Sequence, residues 1–380
     1  MEQIAILGVG QTPVREHWDR TTWQLAVEAG RAAMADAGVD KVDAIIVGNM
    51  TDPVLSHQTH LGALVADRLG MPGVEAFRLG AACGSGGAAV RQGLLGVASG
   101  LVETVLAIGV EKLTEAGPRE TTGALVMAAD ADYEAMHGVS FVALNALMMR
   151  RYMYEYGYQQ EDFAPFAINA HANGAHNPNA LFNRPISARI YNDGRIVASP
   201  ITLYDASPIA DGAAAVVLGP AQKAPQAVRI VGSATSTDTV SVHDREDILR
   251  LVAAEQSAQR AYAQAGLGPE DIDLFELHDA FTIMSALSLE ASGFAARGEG
   301  VRLARDGSIL PGGRIPVCTM GGLKARGHPV GATGAYQIVE ATLQLRGEAG
   351  ACQIPNARVA MAQNIGGSGA TIVTHILARD

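Results

Sequence analysis

Cysteine is scarce in this chain: Cys83, Cys318 and Cys352 are the three among 380 residues. So small and odd a number does not make a disulfide framework, and a chain of this length can build its own core without one. None of the three lies in a CxxC pair, and the ten histidines show no HExxH or comparable spacing. We therefore expect a reducing compartment and no metal site.

Basic residues and long apolar runs are also in short supply. The chain has 28 Lys and Arg against 39 Asp and Glu, a formal net charge of -11, so no overall field attracts it to nucleic acid or to an anionic membrane. No apolar run approaches the length of a membrane span, and the start, MEQIAILGVG, has an acid where a signal peptide needs a basic run. These absences predict a soluble, cytoplasmic protein without nucleic acid or membrane partners.

Small residues are plentiful, and their pattern repeats. Residues 26–49 and 253–279 share an Ala-rich helix, an Ala-Gly ending, an Asp-led link and a buried strand, with Asp43 aligned to Asp273. A second pair follows in the same order: AACGSGGAAV with TVLAIGV, and GHPVGATGAYQIV with ARVAMAQNI. Chance is the alternative, since Ala-Gly helix ends are common. Two matched pairs in one order favour an internal duplication.

Strands alternate with helices in both halves, which predicts the α/β class with helix-covered, largely parallel sheets. We place the first half at residues 1–220 and the second at 228–380. Between about 113 and 199, clustered Tyr, Met and Asn interrupt the alternation and predict an inserted, loop-rich segment. Such insertions often cover a site.

Cys83 is the first candidate for chemistry. It lies in a turn of small residues, GAACGSGG, that leads into a helix from about Ala88. A thiol at a helix N-terminus meets the positive end of the helix dipole, which lowers its pKa, and we expect a reactive nucleophile here. The alternative is a buried cysteine that only fills space.

Two histidines stand in positions suited to acid/base or hydrogen-bond chemistry. His328 lies in GGLKARGHPVGATG, with glycines on both sides, where an imidazole could take the thiol proton and return it. His278 and Asp279 end a predicted strand, where side chains commonly face a ligand crevice. His278 could donate to a developing oxyanion. A histidine satisfied inside a turn is the alternative for His328, and helix capping is the alternative for Asp279.

Two glycine-rich turns remain. The loop NIGGSG, which contains Gly366, could aim backbone amides at a carbonyl oxygen, although a plain hairpin turn is the alternative. The early Gly8-Val9-Gly10 has Pro13 where a dinucleotide fingerprint needs its third glycine, so we expect no NAD site.

Taken together, Cys83 before a helix, HDAF at 278–281, GHPVGATG at 327–334 and NIGGSGA at 364–370 resemble the thiolase superfamily along essentially the whole chain. With DGAAA at 211–215 and STDTVSVHDRED at 236–247, they look most like the archaeal-type acetoacetyl-CoA thiolases, near the sterol-carrier-protein-type thiolases. The resemblance implies a thiolase-like fold: two similar α/β halves in five layers (αβαβα) with an inserted loop domain.

The resemblance also implies roles for these residues. Cys83 would be the acylated nucleophile, His328 its activating base, and His278 a donor to the thioester oxygen. The N–H groups of Cys83 and Gly366 would form a second oxyanion hole. The implied activity is that of an acyl-CoA C-acyltransferase, joining two acetyl-CoA into acetoacetyl-CoA and CoA reversibly. Coenzyme A thioesters are then substrates, and no redox cofactor or metal is needed.

One departure from the family pattern is serious. Ordinary thiolases carry a second catalytic cysteine in the final glycine loop, where this chain has Asn364, and the sterol-carrier-protein type has a cysteine where this chain has Ala280. An asparagine cannot shuttle a proton. His328 itself is the first substitute to consider, followed by Cys318 and His137.

Partners follow from the resemblance alone. It implies a homodimer joined at the sheet edge of the first half, and a complex with a hydroxymethylglutaryl-CoA synthase and a zinc-ribbon/OB-fold protein, as in the mevalonate pathway. Lys324 and Arg326 are the basic candidates for binding CoA phosphates, although ordinary solvated residues are the alternative. The competing functions are a C-acyltransferase or retro-aldolase that works with an OB-fold partner, and a non-catalytic acyl-CoA-binding scaffold.

Overall fold

The computed structural model describes residues 4–224 and 226–379. The strands in these ranges are β1 (Ile4–Gln11), β2 (Ala44–Gly48), β3 (Glu75–Leu79), β4 (Val105–Glu111), β5 (Ile196–Ala198), β6 (Ile201–Thr202), β7 (Gly212–Pro220), β8 (Val228–Thr237), β9 (Leu274–Glu276), β10 (Val359–Gly366) and β11 (Thr371–Ala378). The helices are α1 (Thr22–Ala37), α2 (Asp52–Leu55), α3 (Leu61–Arg68), α4 (Ser85–Ala98), α5 (Pro118–Val126), α6 (Phe141–Tyr156), α7 (Ala164–Gly174), α8 (Ala188–Asn192), α9 (Val252–Ala265), α10 (Thr282–Ala291), α11 (Gly300–Arg305) and α12 (Thr333–Arg346).

Nine strands form one sheet, and the order of the strands in one half of the sheet mirrors the order in the other half. The order is β3-β2-β4-β7-β1-β8-β11-β10-β9, and β1 pairs with β8 antiparallel where the two halves meet. The first half, read outward from β1, therefore matches the second half, read outward from β8. Val317 makes a parallel bridge to Phe275 of β9, in the place that β3 takes beside β2. The predicted duplication is confirmed at the level of topology.

The aligned aspartates Asp43 and Asp273 make equivalent hydrogen bonds in the two halves. Asp43, just before β2, accepts hydrogen bonds from the N–H groups of Glu103 and Thr104, at 3.0 and 2.8 Å, where β4 begins. Asp273, just before β9, accepts from the N–H groups of Arg358 and Val359, at 2.7 and 2.9 Å, where β10 begins. Each carboxylate thus ties together two neighbouring parallel strands.

The strand directions correct one expectation. The sheet was predicted to be largely parallel, but β2–β3, β2–β4 and β9–β10 are parallel while five pairings are antiparallel: β1–β7, β1–β8, β4–β7, β8–β11 and β10–β11. The turn between β10 and β11 is only a few residues long, and so short a connection can join antiparallel strands only. The prediction failed because it assumed a helical crossover between every pair of strands.

Helices cover the two halves of the sheet in five layers. Helices α1 and α3 pack on the outer face of the first half, and α9 packs on the outer face of the second. Helices α4 and α12 lie between the halves and contact strands of both. The core is therefore divided into two outer apolar layers and one central layer, and the central pair of helices reaches the candidate site. No helix in the described ranges is long and apolar enough to cross a membrane.

The inserted segment is more helical than its composition suggested. It was predicted as loop-rich, but α5, α6, α7 and α8 lie within it. In α6, Leu144, Met148, Met149 and Tyr152 are buried at helical spacing. The cluster of Tyr, Met and Asn that suggested loops thus contains an apolar helix face.

The close contact of α1 with β1 allows a test of the layered packing. A Cβ added at Gly10 would lie 2.4 Å from both the carbonyl oxygen of Ala29 and the nitrogen of Ala33 in α1. We expect Gly10→Ala to lower the free energy of unfolding by about 1–3 kcal/mol, because the helix has to move away from the strand. Urea unfolding followed by circular dichroism measures this change.

Gly123→Ala is the matched control for this substitution. Gly123 lies in α5, and an added Cβ there meets no atom within 4 Å. Alanine is the better helix former, so this variant should unfold at the same or a higher urea concentration. If the two variants were equally stable, the close packing of α1 on β1 would be contradicted.

Candidate active site

A cavity of about 240 Å³ lies where the two halves and the insertion meet. Cys83 reaches it from the first half, and His278 and His328 reach it from the second. Phe141 of α6 and Leu125 of α5 form part of its apolar wall, so the insertion contributes to the lining of the cavity. The structure thus brings three of the predicted site residues to one mainly apolar cavity.

Cys83 lies directly before α4 in a constrained turn. Ala82 has a φ of 51°, a left-handed conformation that a non-glycine residue adopts at some cost. The Cys83 sulfur is half-buried and lies 4.0 Å from the sulfur of Met50. The N–H groups of Cys83 itself and of Gly367 form hydrogen bonds to it. The sulfur therefore has one backbone donor from its own turn and one from the turn between β10 and β11.

The expected lowering of the Cys83 pKa is wrong. Loss of solvent around the sulfur raises its pKa to about 12, and the nearby Glu111 carboxylate adds to the rise. The two N–H donors lower the pKa, but by less. Removal of water from the sulfur thus outweighs the favourable backbone groups, and the resting side chain is a neutral thiol.

Glu111, the last residue of β4, joins loops of the two halves. Its carboxylate accepts from the Asn49 side chain (2.9 Å), the N–H groups of Met50 (2.9 Å) and Thr51 (3.1 Å), and the Thr51 hydroxyl (2.6 Å). It also accepts from the N–H of Gly331 (3.0 Å), three residues after His328. Burial raises the Glu111 pKa to about 7 in spite of these donors.

Sequence reasoning missed Glu111, although a signal was present. It follows directly after the apolar stretch TVLAIGV, and a lone acid at the end of a buried strand needs a partner or a purpose. The side chain is 0% exposed, so in its ionised form its negative charge acts on the site through protein rather than through water.

His328 is held on one side of its ring. Its Nδ1 lies 2.7 Å from the hydroxyl of Thr333, the first residue of α12, and this hydroxyl donates to the Pro329 carbonyl at 3.5 Å. Because the hydroxyl uses its own proton on Pro329, it accepts a hydrogen bond from the Nδ1–H of His328, and Nε2 keeps a lone pair. Burial lowers the His328 pKa well below its usual value, with smaller contributions from His278 and Arg326. The imidazole is therefore neutral and able to take a proton.

His278 stands beside His328 with the rings at right angles. The ring centroids are 5.1 Å apart, and the planes meet at 87°. Burial, with a smaller effect from the Arg326 charge, lowers the His278 pKa to about 3. This ring is also neutral, so it can act as a hydrogen-bond donor but not as a cation at neutral pH.

Gly366 directly precedes Gly367, whose backbone N–H approaches the Cys83 sulfur. It ends β10 opposite Thr371, and its carbonyl accepts from the N–H of Ala370 at 3.1 Å. Of the two N–H groups that act on the Cys83 sulfur, the one from this loop belongs to Gly367, which sequence reasoning did not single out. The oxyanion-hole role of Gly366 stays a prediction.

Lys324 and Arg326 are turned into the protein. They are 1% and 0% exposed, within a π-helical turn at Gly322–Arg326. The Lys324 ammonium donates to the carbonyl of Asp205, while Arg326 pairs with Glu340 at 3.2 Å and lies over the ring of Tyr336. These contacts do not support the prediction that the two cations bind CoA phosphates, because neither charged end faces solvent.

The three proposed substitutes for the missing cysteine differ in their position relative to the cavity. His328 lines the cavity, but Cys318 and His137 are not among the lining residues. Cys318 is buried, and its thiol donates to the Leu277 carbonyl at 3.8 Å. Burial, and then the charge of Asp279, raises the Cys318 pKa well above its usual value. Of the three, His328 is the one in a position to act on a substrate.

A cysteine before one central helix and a histidine before its counterpart, facing one apolar cavity, define an acyl-transferring enzyme on a duplicated α/β fold. Two family models match the chain: "Thiolase, N-terminal domain" over residues 4–222 and "Thiolase C-terminal domain-like" over residues 234–379. The chain belongs to the thiolase family.

Individual relatives agree with this assignment. An acetyl-CoA acetyltransferase of Methanothermobacter thermautotrophicus is 44% identical over the full length of both chains. One from Methanocaldococcus jannaschii is 37% identical, covering 100% of this chain and 99% of its own. Human sterol carrier protein 2 is 31% identical over 98% of this chain and 72% of its own. A solved chain of the Ltp2-ChsH2(DUF35) aldolase has a TM-score of 0.87 at 28% identity, covering 100% of this chain and 98% of its own.

The raised pKa of Cys83 predicts how it reacts with iodoacetamide. Because the pKa is about 12, the thiolate fraction and the alkylation rate should keep rising, about tenfold for each pH unit, through the neutral and moderately alkaline range. Mass spectrometry of the Cys83 peptide after timed labelling measures this rate. Free glutathione, labelled in parallel, should instead approach a plateau above its own pKa of about 8.5–9. A plateau for Cys83 near neutral pH would show that the helix terminus does lower its pKa.

Proposed function

We propose that this chain is an acetyl-CoA acetyltransferase that joins two acetyl-CoA into acetoacetyl-CoA and CoA through an acyl-enzyme on Cys83. The observation that carries the proposal is the meeting of Cys83 and His328 in one apolar cavity. The names of the two archaeal relatives, which match the chain end to end, support acetyl-CoA as the substrate.

In the first half-reaction, Cys83 takes the acetyl group. The neutral His328 removes the proton from the thiol as the sulfur attacks the thioester carbonyl. The bond between the carbonyl carbon and the sulfur of CoA then breaks, and the departing CoA sulfur receives the proton from His328. Because the thiol is neutral at rest, proton removal has to accompany the attack of the sulfur. His278 would hold the carbonyl oxygen while negative charge develops on it.

In the second half-reaction, a new acetyl-CoA loses a proton from its methyl carbon. His328, which is neutral again, is the base that we propose for this step. The resulting carbanion attacks the carbonyl carbon of the acetyl group on Cys83, and the bond from that carbon to the Cys83 sulfur breaks. The proton held by His328 returns to the sulfur. The cycle needs no metal ion and no redox cofactor.

A partner protein would complete the binding of CoA. Lys324 and Arg326 point inward, so the two cations that were candidates for the phosphates are occupied. The solved aldolase with a similar fold carries a DUF35 component in its name. We propose that a zinc-ribbon/OB-fold protein supplies part of the CoA site, and that a hydroxymethylglutaryl-CoA synthase takes up the acetoacetyl-CoA.

A second candidate is a retro-aldolase or partner-dependent C-acyltransferase. The structural similarity to the Ltp2-ChsH2(DUF35) aldolase favours it, as does Asn364 in the place of the second cysteine. A non-catalytic scaffold is less favoured, because a scaffold has no reason to keep a thiol and an imidazole in one cavity.

The decisive experiment is to incubate the purified chain with acetyl-CoA and weigh the Cys83 peptide. We expect the added mass of one acetyl group, and cleavage of acetoacetyl-CoA by CoA. Cys83→Ala should lose both, with turnover down about 10³-fold or more, as when other acyl-transfer enzymes lose their nucleophile. Cys352→Ala is the control, since this cysteine is buried outside the cavity and should leave turnover intact.

The other outcomes separate the alternatives. A stable acetyl group on Cys83 without thiolysis, alone or with candidate partners, would favour the partner-dependent enzymes. Tight binding of acetyl-CoA with no acetylation under any condition would favour the scaffold and end the proposal.

The edge strand β3 supports a further proposal, that the chain forms a homodimer. On the described chain β3 is an end strand of the nine-stranded sheet, and Phe77 at its centre is 61% exposed. An open edge with an apolar residue favours pairing with the same edge of a second copy. Light scattering coupled to gel filtration should give the mass of two chains, and Phe77→Lys should shift it toward one. Leu101→Lys, at another exposed position, should leave the mass unchanged, and a single-chain mass for the unmodified protein would contradict the dimer.

A further inference from the structure

Asn364, which stands where ordinary thiolases are expected to carry their second cysteine, is buried beside the site. Asn364 lies on β10, is 2% exposed, and contacts His278. We propose that Asn364 is a positioning residue whose amide fixes the ring tautomer of His278, so that Nε2 carries the proton and donates it to the thioester oxygen. The donation to a thioester rests on the proposed function, but the tautomer does not.

The orientation of the Asn364 amide follows from a backbone contact. The N–H of Gly87, in the first turn of α4, donates to the side-chain oxygen of Asn364 at 3.2 Å. A backbone N–H can only donate, so the atom that faces it has to be the oxygen. The NH₂ end of the amide is therefore the end that faces His278.

This orientation decides which nitrogen of His278 carries the proton. The Asn364 nitrogen lies 3.2 Å from Nδ1 of His278. Because an amide NH₂ only donates, Nδ1 has to accept and cannot carry a proton. The ring is neutral, so its one proton lies on Nε2. Nε2 makes no hydrogen bond within the described residues, and the ring lines the cavity, which leaves this N–H available to a ligand.

Two glycines make room for the amide between the central helices. A Cβ at Gly87 of α4 would lie 3.0 Å from the Asn364 oxygen, and a Cβ at Gly334 of α12 would lie 2.2 Å from it. The amide is thus enclosed by the backbones of the two helices that begin after Cys83 and His328. An amide held in this way cannot rotate freely to present its oxygen to the histidine.

The arrangement explains how the site can use an asparagine in the position where the family resemblance leads one to expect a cysteine. An asparagine cannot take up or release a proton, so it cannot replace the cysteine as an acid or base. It can instead keep a neutral histidine in the form that stabilises negative charge on the substrate oxygen. The proton transfers are then left to His328.

Asn364→Asp is the sharpest test because it keeps the shape of the side chain and reverses its hydrogen bonding. A carboxylate can still accept from Gly87, but it has no N–H to offer, so it should draw the His278 proton to Nδ1. ¹⁵N NMR of histidine-labelled protein, with His278 assigned by a His278→Gln variant, reports the protonated nitrogen. We expect Nδ1 to be bare in the unmodified protein, protonated in Asn364→Asp, and mixed in Asn364→Ala.

We expect kcat to depend on which nitrogen of His278 carries the proton. For the thiolysis of acetoacetyl-CoA, we expect kcat of Asn364→Asp to fall about 10²-fold, the usual loss for one oxyanion donor, with KM little changed. Asn364→Ala should lose less, because part of the ring population keeps its proton on Nε2. Gln363→Ala is the control: it removes the neighbouring buried amide, which bonds to Ser292 and Thr374, and it should leave the His278 spectrum unchanged.

Three results would overturn the inference: Nδ1 protonated in the unmodified protein, Nε2 still carrying the only proton in Asn364→Asp, or a fall in kcat without any change of tautomer. Acetylation of Cys83 is measured in the same samples. If the tautomer reverses as expected but Cys83 is never acetylated, the proposed function fails while the tautomer assignment stands.

Discussion

The candidate site depends on the near contact of two helix backbones. A Cβ at Gly86 of α4 would lie 2.8 Å from the nitrogen of Ala335 in α12 and 2.9 Å from the carbonyl oxygen of Gly331. Only residues without a side chain allow helices to approach so closely. Because Cys83 precedes α4 and His328 precedes α12, this contact brings the thiol and the imidazole from opposite halves of the chain to one cavity.

The duplication explains why such a contact can form. Each half has one helix that packs on the inner face of its own strands, and the pairing of β1 with β8 turns these inner faces toward each other. The turns before the two helices then meet, although they come from equivalent places in the two halves. Equivalent topology thus supplies two different groups, a thiol from one copy and an imidazole from the other.

Burial determines the protonation states of Cys83, His278 and His328. Loss of water raises the pKa of Cys83 and lowers that of His278 and His328, so all three groups are uncharged. In the proposed reaction, charge develops on these three groups only when a substrate supplies a carbonyl carbon to attack. In such a site the hydrogen bonds that fix the ring nitrogens, from His328 to Thr333 and from Asn364 to His278, decide which atoms donate and which accept.

Much of the architecture could be predicted from the sequence because it depends on local patterns. The repeated Ala-rich helix with its Gly ending, the aligned Asp43 and Asp273, and the glycine turns around Cys83 and His328 are short-range signals. In the structure the members of each pair occupy equivalent places in the strand order. The direction of the strands was less accessible, since it depends on which strands become neighbours after long connections.

Tertiary structure alone decided the electrostatics and the hydrogen bonding of the site. The sequence placed Cys83 at a helix terminus, but whether the dipole or the loss of water controls its pKa depends on what covers the sulfur. The sequence made Lys324 and Arg326 candidates for binding phosphate, but both are buried. The ammonium of Lys324 donates to the carbonyl of Asp205, which is distant in sequence. Spacing along a chain determines turns and helix ends, whereas solvent access and hydrogen-bond partners arise from contacts between segments hundreds of residues apart, such as Asn364 with Gly87.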